Sequence, residues 1–153
     1  MQKRLFLLFA LVEVAVAGSA KAAIREENFD REPPNWEGVN NRTTHFSPRT
    51  VTQDFGYSAA SNHIGKEPGE VGGKINPAAE AAYYGYRLPK ALTLDDALSA
   101  AGQILVLPGK GHFLLGFFNA ATLNEWRTPN TLVMRINGRG ETFHCHLDRK
   151  SVV

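Results

Sequence analysis

The chain has 153 residues, and its 17 Lys and Arg against 15 Asp and Glu give a formal charge of +2 at neutral pH. That surplus resides in the first 23 residues, where Lys3, Arg4 and Lys21 face Glu13 alone. The remainder is charge-balanced, which argues against the basic face or stripe of a nucleic-acid binder. A lone cysteine, Cys145, excludes an internal disulfide, so stability must come from packing, although an oxidising compartment remains compatible.

Residues 1–23 read as a cleavable secretion signal. Lys3 and Arg4 supply the basic start, Leu5 to Val16 the apolar run, and Ala15-Val16-Ala17 or Ala20-Lys21-Ala22 the small residues a signal peptidase accepts. The alternative is a retained spanning helix, but the run falls short of the ~20 apolar residues required and Glu13 interrupts it. A secreted or periplasmic location is therefore expected, with membrane contact only transient, through the signal peptide.

From Ile24 to about Leu98 the chain is punctuated by Pro33-Pro34, Asn40-Asn41, Ser47-Pro48, Pro68-Gly69, Gly72-Gly73, Asn76-Pro77 and Pro89. Proline removes a backbone donor and restricts its predecessor, while Gly and Asn serve positive-φ positions, so these pairs predict turns rather than long helices. Short strands are expected at Glu27 to Phe29, Val51 to Tyr57 and Ala82 to Leu88. Thr93 ahead of Asp95-Asp96 can open a short helix from Leu92 to Ala100.

The second half carries stronger β signals. Gln103 to Leu107 and His112 to Asn119 are apolar runs flanking Pro108-Gly109-Lys110-Gly111, which suggests a hairpin, with Gly116 at a bulge or close approach. Ala120 to Trp126 fits one helical turn or an irregular loop. Leu132 to Ile136 alternates, then meets Asn137-Gly138-Arg139-Gly140, whose residues suit a tight turn returning into Glu141 to Leu147. Many short strands with turn-rich links predict an all-β, antiparallel β-sandwich or jelly roll.

The final six residues, 148–153, match the translation of a common sequencing adapter followed by a stop, so they are expected to be a non-native tail; a native ending is the alternative. On that expectation residues 24–147 form the N-terminal portion of a β-sandwich domain, truncated at the C-terminus, since such folds commonly need roughly 200 to 250 residues.

Asn28-Phe29-Asp30 with Pro34-Asn35-Trp36, the strand ending Gly116-Phe117-Phe118-Asn119, and the hairpin around Asn137-Gly138 resemble the concanavalin A-like, laminin-G-like jelly rolls of secreted bacterial proteins. More narrowly, Trp36-Glu37-Gly38-Val39-Asn40-Asn41-Arg42 and the run from Phe118-Asn119 through Trp126-Arg127-Thr128-Pro129-Asn130 resemble an uncharacterised secreted group of planctomycete-type bacteria. The resemblance covers Ile24 to Leu147. It implies two curved antiparallel sheets, sugar binding on the concave face or loop tips, and in some branches a structural calcium. Fold alone does not transfer function.

His144 and His146 straddle Cys145, and strand alternation puts both imidazoles on one face and the thiol on the other. Imidazole nitrogens suit zinc and other borderline ions, but a closed site needs three or four ligands and no further partner is identifiable, so no metal is assigned. The preferred reading is a polar sheet face with Cys145 turned into the core, where the imidazoles can hydrogen-bond a sugar. Trp126 lies among Asn124, Glu125, Arg127 and Asn130, a loop with an aromatic plane for a pyranose and hydrogen-bonding groups for a polyol; a core role for Trp126 is equally open. Trp36, Tyr83, Tyr84 and Tyr86 are better placed as core or interface residues.

The Glu-x-Asp-x-x-Glu run that would set a glycosidase's carboxylates on one strand face is absent from the sequence. Asp95-Asp96 reads as the acidic first turn of a helix or a calcium-facing loop, and Pro108-Gly109-Lys110-Gly111 lacks the Ser or Thr of a phosphate loop. There is no nucleophile elbow, and the sequon at Asn41-Arg42-Thr43 suggests only surface location. These observations favour a secreted, non-catalytic recognition module that binds glycan or another cell-envelope component through a concave sheet face, with Trp126, Asn124, Arg127, Asn130, His144 and His146 as ligand-binding candidates. No cofactor is expected beyond the calcium the resemblance allows. The alternatives are a polysaccharide hydrolase or lyase whose catalytic residues lie beyond Leu147, and a structural envelope domain.

Overall fold

The computed structural model describes residues 24–93, 95–122 and 130–150. The expected leader therefore lies outside the described residues, as do the Trp126 segment and the last three residues of the tail. Within them the chain is nearly all β, in antiparallel sheets, with no α-helix. Strands β1 (Trp36–Val39) and β6 (Tyr83–Tyr86) pair, as do β2 (Thr44–His45) with β3 (Val51–Thr52), and β4 (Asp54–Ser58) with β5 (Glu70–Lys74). The longest strands, β7 (Gly109–Phe117), β8 (Thr131–Gly140) and β9 (Phe143–Lys150), form a three-stranded sheet with β8 in the centre.

Turn chemistry explains the short elements of the amino-terminal half. Asn35 and Asn40 bracket β1 with positive φ values of 63° and 54°, which asparagine tolerates better than most residues because its short amide bonds locally. Glycines hold the β4–β5 ribbon close: Gly73 has a φ of 126°, and a Cβ there would lie 2.7 Å from the Phe55 Cα. Asparagine and glutamine side chains then fasten hairpin to hairpin. Gln53, 3% exposed, donates from Nε2 to the Asn76 carbonyl at 2.6 Å and accepts the Asn76 amide on Oε1 at 2.9 Å. This reciprocal pair satisfies a buried amide that would otherwise be costly. Trp36 packs edge-on to Phe29 with ring centroids 5.4 Å apart and stacks on Tyr84 at 5.5 Å, in keeping with its expected packing role.

The carboxy-terminal sheet holds the deepest apolar side chains. Ile136 and Val133, on opposite faces of β8, are 2% and 3% exposed. A middle strand flanked on both edges has its backbone fully paired, and β8 matches nine residues of β7 and eight of β9. Phe118, just past β7, meets Tyr83 of β6 at a centroid separation of 5.4 Å and so ties the two halves together.

Several expectations are corrected. Glu27 to Phe29 is not a strand; Phe29 has a φ of 61°, which breaks extension. Gln103 to Leu107 is irregular, and the Pro-Gly-Lys-Gly segment is no hairpin turn: Gly109 to Gly111 already belong to β7 and pair with β8. Of the expected helix from Leu92 to Ala100, Leu94 lies outside the described residues and the others are not helical; the Asp96 carboxylate folds back on Thr93, accepting its amide at 2.6 Å and its hydroxyl at 3.1 Å. That exchange is the capping geometry of a helix start, but it closes a single turn that does not propagate, because the residues after it are largely exposed and bury no apolar face. The Thr93 amide, and then its hydroxyl, hold the Asp96 carboxyl below its usual range. The β8–β9 turn falls two residues later than expected. Asn137 to Gly140 stay in β8, and the reversal is closed by the Arg139 amide donating to the Thr142 carbonyl at 2.8 Å. Gly138 is needed in the strand, since a Cβ there would sit 2.6 Å from the Gly109 carbonyl oxygen.

The close approach expected at Gly116 is present: its φ is 146°, and a Cβ would lie 2.9 Å from the Val133 Cα. Gly116→Ala is accordingly expected to lower unfolding free energy by about 1–3 kcal/mol, the usual range for a residue forced into disfavoured backbone geometry. Equilibrium urea denaturation checks this; a loss below about 0.5 kcal/mol, the size of an ordinary surface change, would show that the backbones do not meet there.

Candidate functional site

Antiparallel register decides which side chains share a face, because directly opposed residues point the same way. On the β7–β8–β9 sheet, His112, Asn137 and His144 form one cross-strand row; Leu114, Arg135 and His146 form the next; Gly116, Val133 and Asp148 a third. This face therefore gathers three imidazoles, an amide and a guanidinium. The reverse face carries Phe113, Ile136 and Cys145 in one row, Leu115, Met134 and Leu147 in the next. The first side is thus mainly polar, with Leu114 and the buried Val133 among its polar groups, and the second is apolar, with Leu115, Cys145 and Leu147 exposed on it.

His144 and His146 lie together as expected, with ring centroids 6.4 Å apart and planes inclined by 21°, and both rings are exposed. Their near-parallel stacking follows from alternation: residues two apart on a strand stand side by side about 7 Å apart. Arg135, opposite His146, forms an ion pair with Asp148 through Nη2 and Oδ2; its side chain is 13% exposed and that of Asp148 18%. The guanidinium charge is thereby balanced beside the histidines. The expectation that Cys145 turns into the core is corrected. Its thiol does lie on the opposite face from the imidazoles, but it is exposed, because β9 is the edge of its sheet and the described residues leave that face open there.

Of the other candidates, Asn130 is described: it is exposed, with a left-handed φ of 54°, immediately before β8. Trp126, Asn124 and Arg127 lie outside the described residues. Asn137, Arg135 and His112 are additions to the candidate face. Arg135 already alternated within the expected strand Leu132 to Ile136, and extending that strand one residue would have added Asn137; joining either to the histidines, or adding His112, required the β7–β8–β9 register, which no local pattern encodes.

Three further polar clusters serve the fold. Arg87 grips Glu37 with Nη2 at 2.9 Å from Oε1 and 3.0 Å from Oε2, and Tyr83 donates its hydroxyl to the same carboxylate at 3.1 Å. Burial, reinforced by that carboxylate, pushes the Tyr83 hydroxyl above its usual range. His45 Nδ1 stands 3.5 Å from Glu80 Oε2, while its buried Nε2 has no hydrogen-bond partner among the described residues. A cleft of about 260 Å³, lined by Val39, Asn40, Glu80, Ala81, Tyr83, Ala120 and Ala121, lies beside these groups. It is smaller than most small-molecule sites. Its polar groups are engaged internally: Tyr83 with Glu37, Asn40 with the Ala81 carbonyl at 3.0 Å, and Glu80 with His45.

No protein-family model, curated protein or solved structure matches the chain. The polar face therefore has to be read on its own chemistry.

At the foot of the β4–β5 ribbon, Glu70 accepts the His63 amide at 2.9 Å on Oε2 and meets the His63 ring Nδ1 through Oε1. Burial raises the Glu70 carboxyl, but the His63 amide and ring together outweigh it and leave the carboxyl below its ordinary value of 4.5. A carboxyl depressed in the folded state adds stability that is present above that ordinary value and is lost as pH falls through the folded one. Glu70→Gln should flatten the acid side of a stability-against-pH curve between about pH 3 and pH 5, and leave stability at neutral pH lowered. Parallel curves for the two proteins across that range would rule the contribution out.

Proposed function

We propose that the chain supplies a secreted, non-catalytic recognition module with a β-sandwich of jelly-roll type, and that it binds glycan or a related polyhydroxyl surface of the cell envelope. The polar face of the β7–β8–β9 sheet is the binding surface in this reading. The observation that carries it is the juxtaposition of exposed His144 and His146 with Asn137 and Arg135 on a single sheet face. Imidazole and amide groups each combine donor and acceptor capacity, which is what a sugar's hydroxyls require, and guanidinium adds fixed donors. A strand framework holds their backbone at regular spacing, so binding has side chains but no backbone to order.

The sandwich part of the reading has its own support. A sheet with one polar and one apolar face is the building layer of a two-layer β fold, in which the apolar side meets its counterpart. Asn130 immediately precedes β8, and Trp126, four residues before it in the sequence, supplies in this reading the aromatic plane that stacks on a pyranose. The absence of the hydrolase carboxylate run in the sequence favours binding over catalysis.

A glycan-array screen of the purified chain tests this, followed by titration of the best ligand. The His144→Ala/His146→Ala double variant is expected to bind at least tenfold more weakly, and Trp126→Ala several-fold more weakly, with circular dichroism unchanged. An array with no reproducible glycan signal, or equal affinities for wild type and double variant, would discard the reading.

A further inference from the structure

The same strand offers a chemistry that sugar recognition does not use. His144 and His146 are exposed, two residues apart and stacked, on a strand whose backbone is fixed by eight residues paired to β8. Two imidazoles at this spacing can converge on one ion. Metal–nitrogen bonds of about 2.0–2.1 Å put two ligand nitrogens roughly 3 Å apart, and the ring centroids about 5 Å apart. From the observed 6.4 Å, the rings have to close by only about 1–2 Å, which exposed side chains achieve by turning about χ1 and χ2 without moving the backbone.

We propose that His144 and His146 form a two-imidazole chelate for a divalent transition ion, with Cu²⁺ held most tightly and Ni²⁺ and Zn²⁺ less so. The ordering follows from the preference of nitrogen ligands along the first transition row. Cys145 points to the other face, so thiolate does not join and soft monovalent copper is not selected. His112 shares the row of His144 but lies across β8, about 10 Å away in backbone spacing, which leaves it outside the chelate. The Arg135 charge next to His146 is offset by its pairing with Asp148, so the approach of a cation is not opposed by an unbalanced positive group. With two protein ligands, the remaining coordination positions stay open to water or to an oxygen donor from outside.

This inference is independent of glycan binding, and its test uses the metal alone. The full chain, purified without a histidine tag, is titrated with CuCl₂ and separately with NiCl₂ in a non-coordinating buffer, followed by calorimetry and by the copper electron paramagnetic resonance spectrum. One Cu²⁺ per chain is expected, with nitrogen hyperfine structure from two imidazoles. His144→Asn and His146→Asn should each weaken binding at least tenfold, while His112→Asn and Cys145→Ser leave it within twofold. Absence of saturable binding, or affinity lost with Cys145→Ser instead of with either histidine variant, would overturn the chelate. Repeating the glycan titration in EDTA separates the two readings, since a sugar site built on hydrogen bonds alone survives the chelator.

Discussion

The register of the β7–β8–β9 sheet is the constraint from which the rest of the carboxy-terminal half follows. Side chains alternate with a period of two, so a slip of β9 by one residue would send His144 and His146 to the apolar side and Cys145 and Leu147 to the polar side. Glycine fixes the β7–β8 part of the sheet's register as much as hydrophobic pattern does. Gly116 and Gly138 sit where neighbouring backbone leaves no room for a Cβ, one against Val133 and the other against Gly109. A shifted pairing would bring bulky residues to both close approaches, which gives the observed alignment an energetic margin that apolar patterning alone would not provide.

Much of this half was legible in the sequence, and the errors have a common cause. Leu132 to Ile136 shows period-two alternation and was recognisable as a strand; the His-Cys-His spacing predicted the shared imidazole face that the ring geometry shows. Asn137-Gly138-Arg139-Gly140 looked like a hairpin turn because Asn and Gly are the usual positive-φ residues. Asn137 and Gly138 are instead in extended pairing, with Gly138 serving close packing; of the two glycines only Gly140 has positive φ, at 81°. The same residue type answers two different demands, and only the partner strand tells them apart. Gln103 to Leu107 failed for a related reason: an apolar run reads as a strand wherever it occurs, but the turn expected to fold it onto its partner, Pro108 to Gly111, instead runs straight into β7, whose Gly109 to Gly111 pair with β8.

The amino-terminal half was legible as turns and hidden as connections. Its Pro, Gly and Asn pairs correctly predicted short elements, yet they carried no sign that Gln53 would be buried and exchange two hydrogen bonds with Asn76, or that Asn40 would reach the Ala81 carbonyl. These links span 23 and 41 residues, beyond any local pattern. They matter energetically because the strands here are two to five residues long, too short for ladder hydrogen bonds and apolar burial to define the arrangement unaided. Side-chain amides acting as backbone surrogates supply the missing pairing, and each is committed to that work, which removes it from any binding surface.

That division explains why the candidate site lies where it does. In the amino-terminal half the polar side chains near the cleft are consumed by the fold: Tyr83 and Arg87 by Glu37, Asn40 by a carbonyl, Glu80 by His45. The three-stranded sheet satisfies its backbone through its own ladder and needs no such help from His144 or His146. Two exposed imidazoles on an edge strand contribute little to packing. The strand that carries them would be as well paired with serine or threonine in their place. Residues that the fold does not require, yet holds at fixed spacing on a rigid strand, are the ones available for recognising something outside the molecule.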